Sequence, residues 1–252
     1  MKNLKVIISG GGTGGHIFPA IAIAKAIENK VQNVEFLFVG AEDRMEMEKV
    51  PAAGYKIIGL WISGLQRKLD KRNLLFPFKV IHSIFKAKNI VKEFKPDLAI
   101  GTGGYASAPL LYAAAKKGIP TVIQEQNSYP GITNRILAKH VQKICVAYDE
   151  MERFFPTEKL IITGNPIREG ILDFNNKVTD GQVKFNIDKT KPTVLVVGGS
   201  LGALTINNAI AENINQIKNM DINLIWQTGI SYQDKAQNFI TDVNTKGINA
   251  HT

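Results

Sequence analysis

The chain has 252 residues, enough for one large domain or two ordinary ones, and its 44% apolar and 21% charged residues are typical of a soluble globular protein. No stretch approaches the ~20 apolar residues of a membrane-spanning helix, and glycines end the N-terminal apolar run too early for a signal peptide. The net charge is +9, so we expect anionic partners. Cys145 is the only cysteine, which excludes an internal disulfide and fits a cytoplasmic protein. We expect Cys145 to be a small buried residue.

Strands and helices alternate along the first part of the chain. The apolar pattern predicts strands at residues 4–9, 34–39, 55–60, 97–100, 120–124, 143–147 and 160–163. It predicts helices at residues 20–29, 77–95, 109–117 and 133–140, the second of them beginning at Pro77 and stopped by Pro96. We expect these elements to form an N-terminal domain over residues 1–163.

A second α/β unit follows a polar, weakly periodic stretch, which we interpret as a junction over residues 164–191. This second domain spans residues 192–252, with strands predicted at 193–197 and 222–226 and helices at 204–217 and 232–243. Two strands are too few for a stable sheet, so we expect this unit to be poorly packed. The fold class is therefore α/β, with one complete Rossmann-like doubly wound parallel sheet and an incomplete second one.

Three predicted strands run directly into glycine-rich turns that precede a helix. The turns are GGGTGGHIFP at residues 10–19, GTGGYAS at 101–107 and GGSLGA at 198–203. Glycines let the backbone approach an anion, and the first N–H groups of a helix supply partial positive charge, so the pattern favours phosphate binding. Because ligands of doubly wound sheets sit at the carboxyl ends of strands, we expect all three turns to face one cleft.

Two other interpretations of these turns stay open. Gly10, Gly12 and Gly15 fit the G-x-G-x-x-G pattern of dinucleotide-binding proteins, but Glu42 and Asp43 lie roughly ten positions too far along the chain to bind the ribose. Alternatively, the glycines only make tight turns, an interpretation that three equivalent occurrences weaken. The sequence has no G-x-x-x-x-G-K-[ST] motif, which disfavours a P-loop nucleotidase.

Three polar residues at or near the turns have both a functional and a structural interpretation. His16 lies at a helix N-terminus, whose positive end disfavours a second proton on the ring, and a neutral histidine accepts a proton unless it merely caps or packs. Arg168 either meets a leaving diphosphate or forms an interdomain ion pair. Ser200 either donates to a phosphate or caps the next helix. The sequence has no Asp-x-Asp and no clustered metal ligands, so we expect no metal ion and no cofactor.

Five motifs occur together in one order: GGGTGGHIFPA at residues 10–20, GTGGYAS at 101–107, EQN at 125–127, GNPIR at 164–168 and GGSLGA at 198–203. In this combination the sequence resembles the bacterial N-acetylglucosaminyltransferases of peptidoglycan synthesis, which are members of glycosyltransferase family 28, from about Lys2 to its end. The resemblance implies a GT-B fold of two Rossmann-like domains. It also implies inverting transfer of N-acetylglucosamine from its UDP donor (UDP-GlcNAc) to the muramyl 4-hydroxyl of undecaprenyl-diphospho-muramoylpentapeptide (lipid I), which gives lipid II.

The resemblance further assigns residues to the site. His16 is implied at the reaction centre, as general base or as an acceptor contact. The contacts of UDP-GlcNAc fall on Thr13, Gly14, Gly15, Asn127, Arg168 and Ser200. The diphosphate of the acceptor is expected near Gly103, Gly104 and Tyr105.

The family's second domain continues with donor-binding elements that this chain does not contain. We therefore expect the chain to be C-terminally truncated and to transfer little sugar by itself. Two alternatives stay open: a non-catalytic lipid I-binding module, and another UDP-sugar enzyme of the same architecture, such as an epimerase.

The segment from Arg67 to Lys95 is strongly basic, with nine basic residues and two acidic ones, and it carries seven of the nine net positive charges. We expect Phe78, Ile81 and Phe85 to form the buried face of its helix. Neighbouring residues are expected to contact an anionic inner-leaflet membrane, with the protein peripheral on its cytoplasmic face: Lys71, Arg72, Leu74, Leu75 and Phe76. Nucleic acid is not expected as a partner, because no binding module for it is recognised.

Overall fold

The computed structural model describes residues 3–64, 74–168, 178–199, 202–243 and 248–251. The chain divides into two compact units, Met1–Gly170 and Ile171–Thr252. Each unit is a parallel sheet with helices packed against it.

The first unit alternates seven strands with five helices among its described residues. The strands are β1 (Leu4–Gly10), β2 (Val34–Ala41), β3 (Ile57–Leu60), β4 (Leu98–Gly103), β5 (Thr121–Glu125), β6 (Lys143–Val146) and β7 (Leu160–Ile162). The helices are α1 (Gly14–Glu28), α2 (Glu46–Ala52), α3 (Phe76–Phe94), α4 (Ser107–Lys116) and α5 (Ile132–Leu137). Two short 3-10 turns, Met151–Arg153 and Thr157–Lys159, connect β6 to β7.

The seven strands form one parallel sheet in the order β3-β2-β1-β4-β5-β6-β7. The chain leaves β1 toward β2 on one side and returns to pair β4 on the other, so β1 and β4 flank the point where the strand order reverses. In such sheets the ligand site lies outside the carboxyl ends of the two strands at this reversal. Here those ends are Gly10 and Gly103, which are paired neighbours.

Both faces of this sheet are covered, which explains why its strands are continuous apolar runs. Along β1, Val6 and Ile8 pack with Ile17 of α1 on one face. Ile7 points to the other face, where it belongs to the cluster that includes Leu110 of α4. The sequence prediction of a doubly wound parallel sheet is confirmed.

Two elements of the first unit differ from the prediction. Helix α1 begins at Gly14 instead of residue 20, because Pro19 lies inside the helix and does not end it. A proline removes one backbone donor, and burial of Ile17, Ala20 and Ile21 outweighs that loss. Helix α2 was not predicted, since only Glu46 and Val50 of its seven residues are buried and its apolar pattern is weak.

The second unit contains helices α6 (Val178–Lys184), α7 (Leu204–Glu212), α8 (Ile214–Lys218) and α9 (Gln233–Val243), with a 3-10 turn at Ile230–Tyr232. Its strands β8 (Thr193–Val197), β9 (Asn223–Gln227) and β10 (Ile248–His251) form a parallel sheet in the order β10-β9-β8. The expectation of two strands was therefore wrong. The predicted helix at 204–217 is also divided, at Asn213.

The core of the second unit is small but closed around one tryptophan. Trp226 is fully buried, and its indole N–H donates to Asn207 Oδ1 over 3.1 Å. Tyr232, Ala236 and Ile240 pack in the same cluster. The edge strand β8 nevertheless leaves Leu195 62% exposed, so the expected poor packing applies to this edge and not to the centre of the unit.

Candidate active site at the glycine turns

The first two glycine turns interlock at the carboxyl ends of β1 and β4. The N–H of Gly11 donates to the carbonyl of Gly103 over 3.3 Å. Gly103 and Gly104 have φ values of 104° and 91°, a region that favours glycine. A Cβ on Gly104 would collide with the backbone of Gly11. The two turns therefore need glycine for close backbone contact as well as for conformation.

A buried carboxylate holds the first turn from below. Glu46 is fully buried, and its oxygens accept hydrogen bonds from the N–H of Gly12 and the N–H of Ala41, both at 2.9 Å. A Cβ on Gly11 would collide with the same carboxylate. Glu46 thus ties the turn after β1 to the end of β2, a role that sequence reasoning missed because α2 itself was not predicted.

The interlocked turns enclose one wall of a cavity of about 410 Å³. Its lining combines glycine backbone with a few polar side chains: Gly11, Gly12, Thr13, His16, Arg44, Gly64, Gly103, Gly104, Tyr105, Glu125, Gly131, Ile132, Thr133 and Asn134. The N-terminus of α1 lies beside the cavity, and the first turn of this helix contains no acidic residue. Helix N-terminal amides and the Arg44 guanidinium suit an anionic ligand. Arg44, too, was missed by sequence reasoning.

Of the predicted donor contacts on this turn, Thr13 lines the cavity, and Gly14 and Gly15 form the first turn of α1. The predicted acceptor-diphosphate residues Gly103, Gly104 and Tyr105 also line the cavity. The structure therefore brings together the first and second motifs. It does so within the first unit alone.

His16 lines the same cavity and is half-buried. Its ring packs on Gly103, where a Cβ would lie 2.7 Å from Nδ1. Its Nδ1 lies 2.9 Å from Oε1 of Gln126, and its backbone carbonyl accepts a hydrogen bond from Thr102 Oγ1 at 2.7 Å. These contacts hold the ring at the cavity wall, between the two glycine turns.

The third motif is organised around the carboxylate of Glu125, which is 1% exposed. One carboxylate oxygen accepts from the backbone N–H and from the side-chain Nδ2 of Asn127, both at 3.0 Å. The other accepts from Gly131 N–H at 3.0 Å and from Asn134 Nδ2 at 2.9 Å. Glu125 thus closes the loop after β5 and fixes the side chain of Asn127, whose residue is exposed at the surface.

Asn134 also lines the cavity and is held there by Glu125. It is buried, and its Oδ1 has no hydrogen-bond partner among the described residues. Its Nδ2 is committed to Glu125 and to the carbonyl of Gln124 at 3.2 Å. These bonds of Nδ2 fix the Asn134 amide, and solvent does not reach its Oδ1.

Arg168 lies against α1 and does not line the cavity. Its guanidinium carbon is 4.4 Å from the centre of the Phe18 ring. The side chain is exposed, so the contact is a cation–π interaction at the surface. Arg168 is thereby held near the helix whose N-terminus opens at the cavity.

A second cavity of about 530 Å³ adjoins the first and shares Tyr105, Ile132 and Thr133 with it. Its remaining lining comes from α3, α4, α5 and the segments that follow β3 and α5, and it is almost entirely apolar: Ile62, Ser63, Phe76, Val80, Ile84, Ala108, Pro109, Tyr112, Ile136, Leu137 and His140. Phe76, predicted to touch lipid, is part of this lining. An apolar ligand portion can therefore lie directly beside a polar, anion-binding one.

Helix α3 presents large apolar side chains to solvent, which corrects the prediction for this helix. Phe78 is 66% and Phe85 63% exposed, and Ile81 is exposed as well. The buried face of α3 consists instead of Ser83, Ala87, Ile90 and Val91. The helix carries two apolar stripes, and the stripe with small residues fits close against α4, which buries Ala113 and Ala114.

We call the exposed residues of this region the apolar face: Leu74, Leu75, Phe78, Ile81 and Phe85. Lysines lie next to it. Lys88 Nζ is 5.5 Å from the centre of the Phe85 ring, and Lys79 Nζ donates to Ser63 Oγ at 3.1 Å. Within the described part of the chain, no helix is both long enough and apolar enough to cross a membrane.

Three predicted site residues lie outside the described residues: Lys71, Arg72 and Ser200. The third glycine turn is described in part, with Gly199 and Gly202 at φ values of 82° and 76°. It belongs to the second unit, so the prediction that all three turns face one cleft stays a prediction.

Cys145, on β6, is half-buried, and burial raises the pKa of its thiol, as suits an unreactive side chain.

The fold and the site define a class of protein. A parallel sheet with glycine turns at the strand-order reversal, followed by a second parallel α/β unit, is the architecture of GT-B proteins. Residues 6–146 match the glycosyltransferase family 28 N-terminal domain, and residues 193–252 match the C-terminal domain of the same family. The chain belongs to glycosyltransferase family 28, as the motifs indicated.

Close relatives share this sequence over nearly its whole length. A protein from Cytophaga hutchinsonii is 55% identical over 96% of this chain, and one from Christiangramia forsetii is 53% identical over 94%. Both are named UDP-N-acetylglucosamine--N-acetylmuramyl-(pentapeptide) pyrophosphoryl-undecaprenol N-acetylglucosamine transferase. The matched regions cover 69% and 65% of these relatives, so the chain spans about two thirds of their length.

Solved structures agree with the fold. MurG of Acinetobacter baumannii superposes with a TM-score of 0.68 at 27% identity, covering 98% of this chain and 67% of that one. The UDP-GlcNAc 2-epimerase of Neisseria meningitidis superposes with a TM-score of 0.66 at 14% identity, covering 98% of this chain and 72% of its own. At 14% identity, the likeness to the epimerase shows a shared fold only. The predicted GT-B architecture is confirmed.

Proposed function

We propose that this chain belongs to an enzyme that transfers N-acetylglucosamine from UDP-GlcNAc to lipid I and so forms lipid II. The observation that carries the proposal is the cavity between two interlocked glycine turns, with His16 in its wall, in a chain 55% identical to a named transferase of this reaction. We infer that residues 1–163 form the acceptor- and membrane-binding domain. We infer that residues 192–252, after a junction at 164–191, begin the domain that binds the UDP-sugar.

The cavity suits the diphosphate of the acceptor. Gly103 and Gly104 bring backbone close to the cavity, Tyr105 lines it, and Arg44 supplies a positive charge. The amides at the N-terminus of α1 add partial positive charge. No metal is required by this arrangement, since amides and a guanidinium can meet the negative charge.

His16 is the proposed base. The 4-hydroxyl oxygen of the muramyl sugar forms a bond to the anomeric carbon of N-acetylglucosamine, and the bond from that carbon to the UDP oxygen breaks, with inversion. The proton of the hydroxyl passes to a ring nitrogen of His16, while UDP leaves with the bonding electron pair. The donor is assigned to Thr13, Gly14, Gly15, Asn127, Arg168 and Ser200, of which Asn127 is held in place by Glu125.

The apolar cavity and the apolar face suit the polyprenyl part of lipid I and the membrane that contains it. The apolar cavity shares Tyr105 with the diphosphate cavity, so a lipid chain can continue from a bound diphosphate. We propose that the apolar face, with Phe76, Lys71 and Arg72, contacts the anionic inner leaflet as a peripheral attachment on its cytoplasmic face. Each lysine or arginine near such a surface contributes about 1 kcal/mol.

Two alternatives are less well supported. An epimerase shares the fold, but the likeness to a solved epimerase is at 14% identity, whereas relatives named as transferases exceed 50%. A lipid I-binding module without catalysis would use the same cavity and not need the donor. Binding of UDP-GlcNAc separates that module from the transferase.

The experiment that tests the proposal is a transfer assay in anionic bicelles with radiolabelled UDP-GlcNAc and a lipid I analogue. The protein is this chain fused to the remaining C-terminal part of the Cytophaga relative. We expect labelled disaccharide-lipid from this fusion, a fall of about 100-fold or more in kcat for His16→Ala, and no product from an acceptor lacking the 4-hydroxyl. Formation of an epimer of UDP-GlcNAc, or acceptor binding without any transfer, would overturn the proposal.

A further inference from the structure

Gln126 is the middle residue of the EQN motif, and its side chain reaches the histidine in the cavity wall. Its Oε1 lies 2.9 Å from Nδ1 of His16. Its Nε2 donates to the backbone carbonyl of Thr102 at 2.9 Å and faces the backbone carbonyl of Gln124 at 3.2 Å. It also contacts the side-chain Oε1 of Gln124.

These three oxygens determine the orientation of the Gln126 amide. The NH₂ group of Gln126 must lie beside these three acceptor oxygens, because a carbonyl oxygen in its place would face three other oxygens. The amide oxygen must therefore point toward His16. Since that oxygen can only accept, Nδ1 of His16 must carry the hydrogen.

The Gln124 amide is fixed in turn by the fourth motif. Gln124 is 2% exposed. Its Nε2 donates to Asn165 Oδ1 at 3.3 Å, which leaves its own oxygen for Gln126. Asn165 Nδ2 donates back to the backbone carbonyl of Gln126, also at 3.3 Å. A chain of three amides thus runs from Asn165 through Gln124 and Gln126 to the imidazole.

We propose that Gln126 is a positioning residue that keeps the hydrogen of the neutral His16 ring on Nδ1. Nε2 is then the ring nitrogen whose lone pair receives a proton or hydrogen bond from a ligand. The role in catalysis rests on the proposed transfer reaction, but the tautomer does not. The inference also gives the GNPIR motif a second task, because Asn165 orients the amides that orient the histidine.

The test is the tautomer of His16, read from two-bond ¹H–¹⁵N correlations of the ¹⁵N-histidine-labelled chain without substrates. The chain has four histidines, and His16→Asn identifies the signal. We expect the pattern of a ring protonated at Nδ1. A ring protonated at Nε2 overturns the inference, whatever the transfer assay shows, and a fusion that fails to transfer while His16 keeps the Nδ1–H pattern counts only against the proposed function.

One variant sharpens the measurement. In Gln126→Leu the acceptor is lost, and we expect loss of the Nδ1–H pattern in favour of the Nε2–H form that free histidine prefers. Retention in Gln126→Leu would contradict the assigned role.

A matched control is available at the opposite end of β5. Gln142 Oε1 accepts from the N–H of Thr121, the first residue of β5, at 2.7 Å. Gln142→Leu therefore removes two hydrogen bonds at the start of β5, from the N–H and from the Oγ1 of Thr121. Gln126→Leu removes hydrogen bonds just past the end of the same strand, whereas the control does not touch His16. A tautomer change in this control would assign the effect to loss of structure and overturn the inference.

Discussion

The cavity at the glycine turns has buried polar groups around it, whereas the apolar face of α3 exposes apolar side chains to solvent. Around the cavity, buried carboxylates are paired with hydrogen-bond donors, as Glu46 is with the turn after β1 and Glu125 with the loop after β5. On the apolar face, Phe78 and Phe85 are mostly exposed. The polar groups of the first region are stabilised by their own hydrogen bonds. The apolar side chains of the second region are stabilised only when another surface covers them. Substitutions should therefore lower stability in the first region and binding in the second.

The largest effect is expected at Glu125. In Glu125→Gln an NH₂ group replaces an oxygen that accepts two hydrogen bonds, so at least two donors lose their acceptor in a buried site. We expect the free energy of unfolding to fall by about 2 to 4 kcal/mol, measured by urea denaturation. The control is Glu152→Gln at an exposed position, expected within about 0.5 kcal/mol of the original chain. Equal effects at both positions would contradict the structural role assigned to Glu125.

A smaller effect is expected from the contact between the glycine turns. Gly104→Ala places a Cβ against the backbone of Gly11, whereas Gly118→Ala has a similar positive φ but open space around it. Backbone strain alone amounts to about 1 kcal/mol, which we expect for Gly118→Ala, and the collision should bring Gly104→Ala to about 2 to 3 kcal/mol. If urea denaturation gives the same value for both, the turns are not held by close packing.

The smallest effect on stability is expected on the apolar face. Replacing Phe78 and Phe85 together by serine removes exposed rings, so the free energy of unfolding should change by less than about 0.5 kcal/mol. Partition to vesicles containing anionic lipid should fall about tenfold, since each ring loses part of its transfer free energy into the interface. Ile230→Ser, at an exposed apolar residue of the second unit, is the control for partition. Unchanged partition in the double variant would show that this face does not bind membrane.

How much of these two regions the sequence predicted depends on how far apart in sequence the interacting residues lie. Strands are short apolar runs ended by glycine or proline, so β1, β4 and β8 were predicted within a few residues. The phosphate character of the turns after β1 and β4 is equally local. Glu46 and Gln126 were missed because their partners lie 34 and 110 residues away in sequence, and no local pattern marks such contacts.

The apolar pattern of α3 was read correctly as a helix and wrongly as a core. Periodicity identifies stripes, but it does not say which stripe is buried. Phe78, Ile81 and Phe85 form the larger stripe and were assigned to the core, while Ala87, Ile90 and Val91 occupy it. Packing against the alanines of α4 selects small residues, and the large ones are left exposed.

The central claim is that the two interlocked glycine turns bind the diphosphate of a lipid-linked acceptor. Backbone amide signals of the ¹⁵N-labelled chain, followed during titration with a water-soluble lipid I analogue, test this claim most directly. We expect saturable shifts at Gly11, Gly12, Gly103 and Gly104, with little change at Gly118, which lies outside the cavity lining. Saturable binding that leaves these four amides unshifted, or the absence of binding, would contradict it.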